Sequence, residues 1–222
     1  MNTQLSATSI QLLQTAERLF AQEGIDAVST RRIAQEANQR NVSALQYHFG
    51  SKDNLIDALL AMRLETINQR RQDLLQQLQN KQQGADLHAL LEALVLPLVE
   101  QLDVPNSHFI GCLYQLYLRA RGERVYSTLP PELTAALETV TTAIERCLIE
   151  LPLKVRIARL RLMGSQLIHS VGDWYYQRER GEALAPIAEL AATLIDFMAG
   201  GLAAPVSLSS NAKKRTARGT RT

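Results

Sequence analysis

Apolar residues along this chain recur every three or four positions, which is the spacing of one face of an α-helix. The first such stripe ends at Gly24, a residue type that terminates helices. Its apolar members are Ile10, Leu13, Ala16, Leu19 and Phe20. The alternating pattern of a half-buried β-strand is nearly absent. The chain is therefore predicted to be all-α, with about nine helices.

Two short helices are predicted after the first. Ser29 is a suitable N-cap for the second helix, because its hydroxyl oxygen can accept a backbone N–H. The inward residues of that helix are Ile33, Ala34 and Ala37. The third helix has one apolar side, formed at i, i+3 and i+7 by Val42, Leu45 and Phe49. Gly50 ends this helix, so its polar side chains are expected to project outward from an apolar anchor.

The remainder of the chain is also predicted to be helical. Ser51 caps a long fourth helix that continues to Gly84. Helical blocks follow at about residues 86–102, 107–121, 131–150, 153–180 and 184–199, and the glycine pair at 200–201 is expected to end the last one. Pro97 predicts a kink in the fifth helix, because proline removes a backbone hydrogen bond. Small and basic residues predict a disordered tail at 205–222.

Composition limits the class of protein. The 222 residues are 46% hydrophobic, which is enough for a substantial core, and the cysteines Cys112 and Cys147 are expected to be buried thiols. No secretory signal opens the chain, and no apolar run reaches the length of about 20 residues that a membrane span requires. We therefore expect a cytoplasmic protein with no membrane partner.

The net charge of +2 gives little information about partners. Five basic residues lie among the last ten, and without them 19 basic residues face 22 acidic ones, a net charge of −3. Overall basicity therefore cannot indicate nucleic-acid binding, and the case for it depends on where individual side chains lie.

The second and third helices match a helix-turn-helix, in which the later helix enters the major groove of double-stranded DNA. The outward side chains suit that use, because arginine reads guanine, asparagine and glutamine read adenine, and hydroxyl, imidazole and ammonium groups contact phosphates. Lys52 begins the fourth helix, whose free N–H groups attract phosphate. The predicted DNA contacts are Ser29, Thr30, Arg31, Gln39, Arg40, Asn41, Ser43, Ala44, Gln46, Tyr47, His48 and Lys52.

Several of these residues have a second interpretation. Tyr47 either braces the third helix or touches a phosphate, and His48 is either a packing residue or a DNA contact. Arg31 and Arg32 form ion pairs on their helix, or one of them binds phosphate. Because residues 1–59 are not cationic overall, binding is expected to depend on a few well-placed charges.

Three segments carry a family resemblance: "AERLFAQEGID", "STRRIAQEA" and "YHFGSKDNLI". Through them, residues 10–60 resemble the DNA-binding domain of TetR-family transcriptional regulators. The resemblance implies a helix-turn-helix domain at 1–55 and a helical effector-binding and dimerisation domain at 56–204. It further implies a homodimer, joined through its last two long helices, that represses at a near-palindromic operator. A small-molecule effector, of unknown identity, would release it.

Residues beyond Gly84 contain no strong catalytic or metal-binding motif, and no cofactor is expected. His108 and Cys112 share a helix face, but two ligands do not make a zinc site. The predicted effector-binding residues, which are equally compatible with plain core, are Phe109, Cys112, Tyr114, Tyr117, His169 and Trp174.

Two alternatives to an effector-released repressor remain open. The first is a helical enzyme or ligand carrier without DNA binding, in which Asp173 orients His169 as a base beside Gln166 on one helix face. The second is a regulator that responds to no effector. A cavity within the helical domain would argue against the second.

Overall fold

The structure is a computed structural model that describes residues 5–39, 43–80, 86–119 and 130–207. Over those ranges it consists of nine α-helices and one 3₁₀ turn, without a β-strand, which confirms the predicted all-α class. The helices are α1 (Ala7–Glu23), α2 (Thr30–Glu36), α3 (Ala44–Phe49), α4 (Lys52–Asn80), α5 (Leu87–Val99), α6 (Phe109–Arg119), α7 (Pro131–Cys147), α8 (Leu153–Glu179) and α9 (Ile187–Ala203).

Local sequence signals determine the ends of the first helices. The Gly24 N–H donates to the carbonyl of Phe20 at 3.0 Å, and the glycine has a φ of 84°, a left-handed value that glycine adopts easily. The Ser29 Oγ accepts from the Arg32 N–H at 3.2 Å, and the Ser51 Oγ accepts from the Asn54 N–H at 3.0 Å. The predicted stop and both predicted N-caps are confirmed.

The three N-terminal helices share one core with the rest of the protein. The inward residues predicted for α2 are buried, as is Leu45 of α3, while Phe49 is half-buried against the same core. Val42, the third predicted anchor of α3, lies outside the described residues. The anchor of α3 in the described part of the chain is therefore Leu45 assisted by Phe49.

The last helices differ from their predicted ends. α9 continues through Gly200 and Gly201 to Ala203, so the predicted stop at the glycine pair was wrong. Glycine lowers helix propensity by only about 1 kcal/mol. The buried Leu202 and a hydrogen bond from Arg159 Nη1 to the Leu202 carbonyl (2.6 Å) stabilise this last turn.

α5 continues past Pro97 to Val99 and is followed by a 3₁₀ turn at Glu100–Asp103.

The predicted border between the two domains falls inside a helix. α4 runs through residue 55, and α6 packs directly on α1, so no linker separates the two parts. At Gly111 of α6 an added Cβ would lie 2.8 Å from the Ala21 Cβ and 2.4 Å from the Tyr175 Cε1, so only glycine permits this approach to α1 and α8. Residues 208–222, most of the predicted tail, lie outside the described ranges, and among the described helices none is long and apolar enough to span a membrane.

Candidate nucleic-acid interface and ligand cavity

The outer side of α2 and α3 is polar and exposed. Tyr47 is 85% exposed, so its ring does not brace α3 from within. Ser43 and Gln46 are exposed beside it, and so are Thr30 and Arg31 at the start of α2. Because Leu45 holds α3 to the core by its opposite side, this face is presented outward as a unit.

The two neighbouring arginines of α2 have different surroundings. Arg32 Nη1 lies 2.8 Å from Glu23 Oε2, and its Nη2 lies 3.8 Å from Glu36 Oε1. Arg18 of α1 also pairs with Glu36, at 2.9 Å. Within the described part of the chain Arg31 makes no ion pair, so its guanidinium is the one on α2 that is available to a phosphate.

Lys52 has a structural role that the sequence analysis missed. Its ammonium group donates to the carbonyls of Ile25 and Val28, the latter at 2.6 Å, and lies 5.5 Å from the centre of the Phe20 ring. Burial lowers the pKa of Lys52, and the nearby Asp26 opposes that shift. The side chain therefore fixes the turn between α1 and α2, and its contact with phosphate stays a prediction.

Other predicted DNA contacts also serve the domain itself. His48 Nδ1 lies 3.2 Å from the Ser9 Oγ, and Gln39 Nε2 donates to the Ala37 carbonyl at 2.9 Å and to Gln11 Oε1 at 3.3 Å. Ala44 is half-buried against the core, and the Ser29 hydroxyl caps α2. Arg40 and Asn41 lie outside the described residues.

A buried carboxylate connects α1 with α4 and with the N-terminus of α6. Glu17 of α1, with 2% of its side chain exposed, receives Arg63 Nε at 2.6 Å and Arg63 Nη2 at 2.8 Å. The same carboxylate accepts the His108 N–H at 2.8 Å and the Ser107 hydroxyl at 3.5 Å, at the N-terminus of α6. We call Glu17, Arg63, Ser107 and His108 the Glu17 cluster. The sequence signal for this cluster is the position of Glu17, an acidic residue next to the apolar stripe of α1.

The two thiols are expected to differ in reactivity. Cys112 is fully buried, and burial, then the charge of Glu17, raises the pKa of its thiol. Cys147 is only half-buried. Because the thiolate is the reactive form, titration of the native protein with a disulfide reagent at pH 8 should label Cys147 and leave Cys112 unmodified until denaturant is added. In Cys147→Ser the labelling rate should follow global unfolding, and rapid labelling of native Cys147→Ser would contradict the burial of Cys112.

The predicted effector-binding residues all make contacts within the protein. Phe109 and Cys112 are fully buried in the core. Tyr114 OH lies 3.2 Å from His169 Nδ1, and Tyr117 OH donates to the Ser165 Oγ at 2.9 Å. Trp174 Nε1 donates to the Ala185 carbonyl at 3.4 Å.

A cavity of about 500 Å³ lies between α4, α5, α7 and α8. Its apolar wall includes Leu64, Ile67, Leu94, Leu98, Leu160 and Leu167, and its polar groups include Asn68, Arg71, Thr134, Glu138, Thr141 and Glu145. None of the six predicted effector residues is among the residues that line it, so their role in binding an effector stays a prediction that this cavity does not support. Leucine at helical spacing gives the same sequence pattern whether it lines a cavity or a solid core.

The residues proposed for an enzyme, which are Gln166, His169 and Asp173, do not hydrogen-bond to one another. Gln166 Nε2 donates to the Ser170 Oγ at 2.7 Å, and Asp173 Oδ2 accepts from Gln177 Nε2 at 2.6 Å, while His169 faces Tyr114. His108 Nδ1 lies 2.8 Å from Tyr175 OH. Asp173 therefore does not orient His169, and the geometry gives no support to base catalysis at this helix face.

An apolar surface covers the outer side of α8 and α9. Leu162 and Phe197 are 68% and 66% exposed, and both line a surface groove of about 260 Å³. Leu153 and Ile157 of α8 are exposed as well. Added Cβ atoms at Gly200 and Gly201 would meet nothing within 4 Å, so the backbone of α9 is also open here. Large exposed apolar patches of this kind mark interaction surfaces.

Comparison with known sequences finds one matching family and one similar curated protein. Residues 12–59 match the profile of the bacterial regulatory proteins of the tetR family. Over 110 residues the chain is 33% identical to the HTH-type transcriptional repressor KstR2 of Rhodococcus jostii (strain RHA1). That match covers 50% of each protein, so the chain spans about half the length of the curated relative it matches.

Solved structures share the fold over most of the chain. A TetR-family transcriptional regulator from Rhodococcus sp. superposes with a TM-score of 0.54 at 17% identity, over 89% of this chain and 100% of that one. The TetR-family regulator PfmR from Thermus thermophilus gives a TM-score of 0.51 at 20% identity, over 84% of this chain and 96% of that one. At these identities the likeness concerns the fold.

Proposed function

Because residues 12–59 match the tetR-family profile and a repressor is 33% identical over 110 residues, we propose that this chain is a tetR-family regulator, a sequence-specific DNA-binding repressor that a small-molecule effector releases from its operator. The observation that carries the proposal is the exposed polar face of α3, held outward by the buried Leu45. The family is one of transcriptional regulators rather than enzymes. That the relative KstR2 is a repressor supports repression here.

The exposed face divides into two kinds of contact. We assign Gln46 of α3 and Ser43, the N-cap of α3, to base edges, because both are exposed and Gln46 has the donor and acceptor that adenine requires. We assign Tyr47 and Arg31 to the phosphates on either side of the groove, because both are exposed and Arg31 has no carboxylate partner in the described ranges. Arg40 and Asn41 remain proposed base contacts.

The exposed apolar surface on α8 and α9 supports a homodimer. A self-complementary patch on two copies closes with twofold symmetry. Such symmetry would present two α3 helices to successive major grooves about 34–36 Å apart, and would select a near-palindromic operator. Each copy would then cover the Leu162 and Phe197 side chains of the other.

Release by an effector requires two conformations with different affinities for DNA. The cavity between α4, α5, α7 and α8 is proposed as the effector site, because α4 both lines it and begins beside the DNA-binding helices. Binding there shifts the equilibrium only to the extent that the effector prefers the conformation that does not fit the operator. A cytoplasmic location stays a prediction.

Arg31→Ala is expected to weaken DNA binding by about 1–2 kcal/mol. The slope of the logarithm of the binding constant against the logarithm of the salt concentration should fall by about one, the amount that one phosphate contact contributes. Tyr47→Ala should weaken binding without that change in salt slope, because a phenol releases no counterion. The operator would first be selected from a random DNA pool, and affinity would then be measured by fluorescence anisotropy at several salt concentrations.

Arg18→Ala is the matched control, since Arg18 is a half-buried arginine of the neighbouring helix α1 that pairs with Glu36. It should retain both the affinity and the salt slope of the unmodified protein. Equal losses in Arg18→Ala and Arg31→Ala, or a selected pool without any enriched sequence, would contradict the proposed DNA-binding face.

A further inference from the structure

The cavity between α4, α5, α7 and α8 combines an apolar wall with a buried cation. Leucine and isoleucine side chains from α4, α5 and α8 form most of the surface, which suits a hydrocarbon body. Arg71 of α4 also lines the cavity, although only 5% of the residue is exposed. Lysine or arginine is rarely buried to this extent, and a buried guanidinium is stabilised by oxygen acceptors in good geometry.

A neighbouring amide fixes the direction of that guanidinium. Arg71 Nη1 donates to Asn68 Oδ1 at 2.9 Å, and the Asn68 Nδ2 in turn donates to the backbone carbonyl of Leu133 in the first turn of α7. Asn68 is itself 5% exposed and lines the same cavity. The guanidinium is planar and carries five N–H donors, so orienting one edge through Asn68 also orients the others.

In the described part of the chain, the acidic residues that line the cavity are Glu138 and Glu145, both on α7. Glu138 Oε1 accepts from the Thr134 hydroxyl at 3.0 Å and is exposed to solvent. Glu145 Oε1 lies 3.1 Å from Arg156 Nε. The cavity thus has a buried positive group on α4 and negative groups on α7, so an anionic end of a ligand is favoured at Arg71 and disfavoured along α7.

Building on the proposed function, we propose that the effector is an apolar molecule carrying one carboxylate, which binds with the carboxylate on Arg71 and the hydrocarbon among the leucines. A carboxylate matches the planar guanidinium fork in a way that a hydroxyl or an ester does not. Asn68 is a positioning residue in this arrangement, because it orients Arg71 while its other hydrogen bond attaches α4 to α7.

The test uses dodecanoate, dodecan-1-ol and dodecyl phosphate as probes, with the full chain and without DNA. Isothermal titration calorimetry should find dodecanoate bound at least about tenfold more tightly than dodecan-1-ol. Arg71→Gln should remove that difference by weakening dodecanoate alone. Arg71→Lys should lose part of it, since lysine keeps the charge without the fork.

Arg70→Gln is the matched control, because Arg70 is the preceding residue of α4 but pairs with Glu100 rather than lining the cavity. It should bind all three probes as the unmodified protein does. Circular dichroism would establish that each variant is folded, and the Arg71→Lys result would decide the matter if Arg71→Gln fails to fold.

Three results would overturn the inference: equal binding of dodecanoate and dodecan-1-ol, no binding of either, or tighter Arg71-dependent binding of dodecyl phosphate than of dodecanoate. Failure of the proposed function is distinguishable from these. If dodecanoate binds through Arg71 but the protein selects no DNA, the proposed function fails and the carboxylate site stands. If DNA is selected but dodecanoate neither binds nor releases it, the inference fails and DNA recognition stands.

Discussion

Leu162→Glu is expected to prevent formation of the proposed homodimer and to weaken operator binding by at least about 100-fold. Leu162 is 68% exposed beside Phe197 on the apolar surface of α8 and α9. A glutamate there would have to lose its hydration when two copies meet. Without the dimer, the second half-site no longer binds at a raised effective concentration, and such linkage contributes about 10²–10⁴ in affinity. Analytical ultracentrifugation and anisotropy would measure the two effects.

Leu118→Glu provides the matched control for that substitution. Leu118 is also an exposed leucine, on α6 and away from the groove that Leu162 lines. The same change in charge and size there should leave both the dimer and the DNA affinity intact. A dimer that persists in the Leu162→Glu, Phe197→Glu double variant would show that another surface joins the two copies.

Glu17→Gln is expected to lower the free energy of unfolding by about 3 kcal/mol. The carboxylate has 2% of its side chain exposed and holds Arg63 through two hydrogen bonds. The amide would leave Arg63, which is mostly buried, without its counter-charge, and would weaken the bond to the His108 N–H at the start of α6. Chemical denaturation should show a lower midpoint with an unchanged slope.

Glu23→Gln makes the same chemical change in the same helix at an exposed ion pair. Glu23 contacts Arg32 at 2.8 Å where both side chains are partly solvated, and exposed pairs contribute at most about 1 kcal/mol. Its effect should therefore be several times smaller. Similar midpoints for the two variants would mean that the Glu17 cluster does not stabilise the junction between α1, α4 and α6.

The helix-turn-helix could be predicted because its signals are local. A serine N-cap, a left-handed glycine and apolar spacing each act within about one helical turn, so Ser29, Gly24 and the inward face of α2 needed no knowledge of the rest of the fold. The same property explains one error. Two glycines in a row weaken a helix locally, but packing of Leu202 and the bond from Arg159 outweigh that preference in α9.

The cavity and the charged groups within the protein could not be predicted in this way. The aromatic residues near 109–117 suggested a ligand site by their chemistry, yet they fill the space between α6 and α8. The residues that do surround the cavity are mostly leucines, and Arg71 lies in a stretch of α4 that is polar in sequence. Lys52 similarly seemed suited to phosphate until the fold brought the Ile25 and Val28 carbonyls to it. Each case depends on helices that are distant in sequence.

The length and continuity of α4 have a mechanical consequence. The helix runs from Lys52 to Asn80 without proline or glycine, so it has no residue at which a sharp bend is favoured. Lys52 is hydrogen-bonded to the turn between α1 and α2, and Arg71 lines the cavity. At a rise of 1.5 Å per residue, these two residues are about 30 Å apart along the axis of α4. If the helix tilts as a rigid rod by about 5° about a point near Arg71, its end at Lys52 moves by about 2.5 Å. That displacement approaches the rise of one DNA base pair, about 3.4 Å, so in the proposed dimer an angular change too small to disturb the core would already misalign the two α3 helices with the DNA grooves.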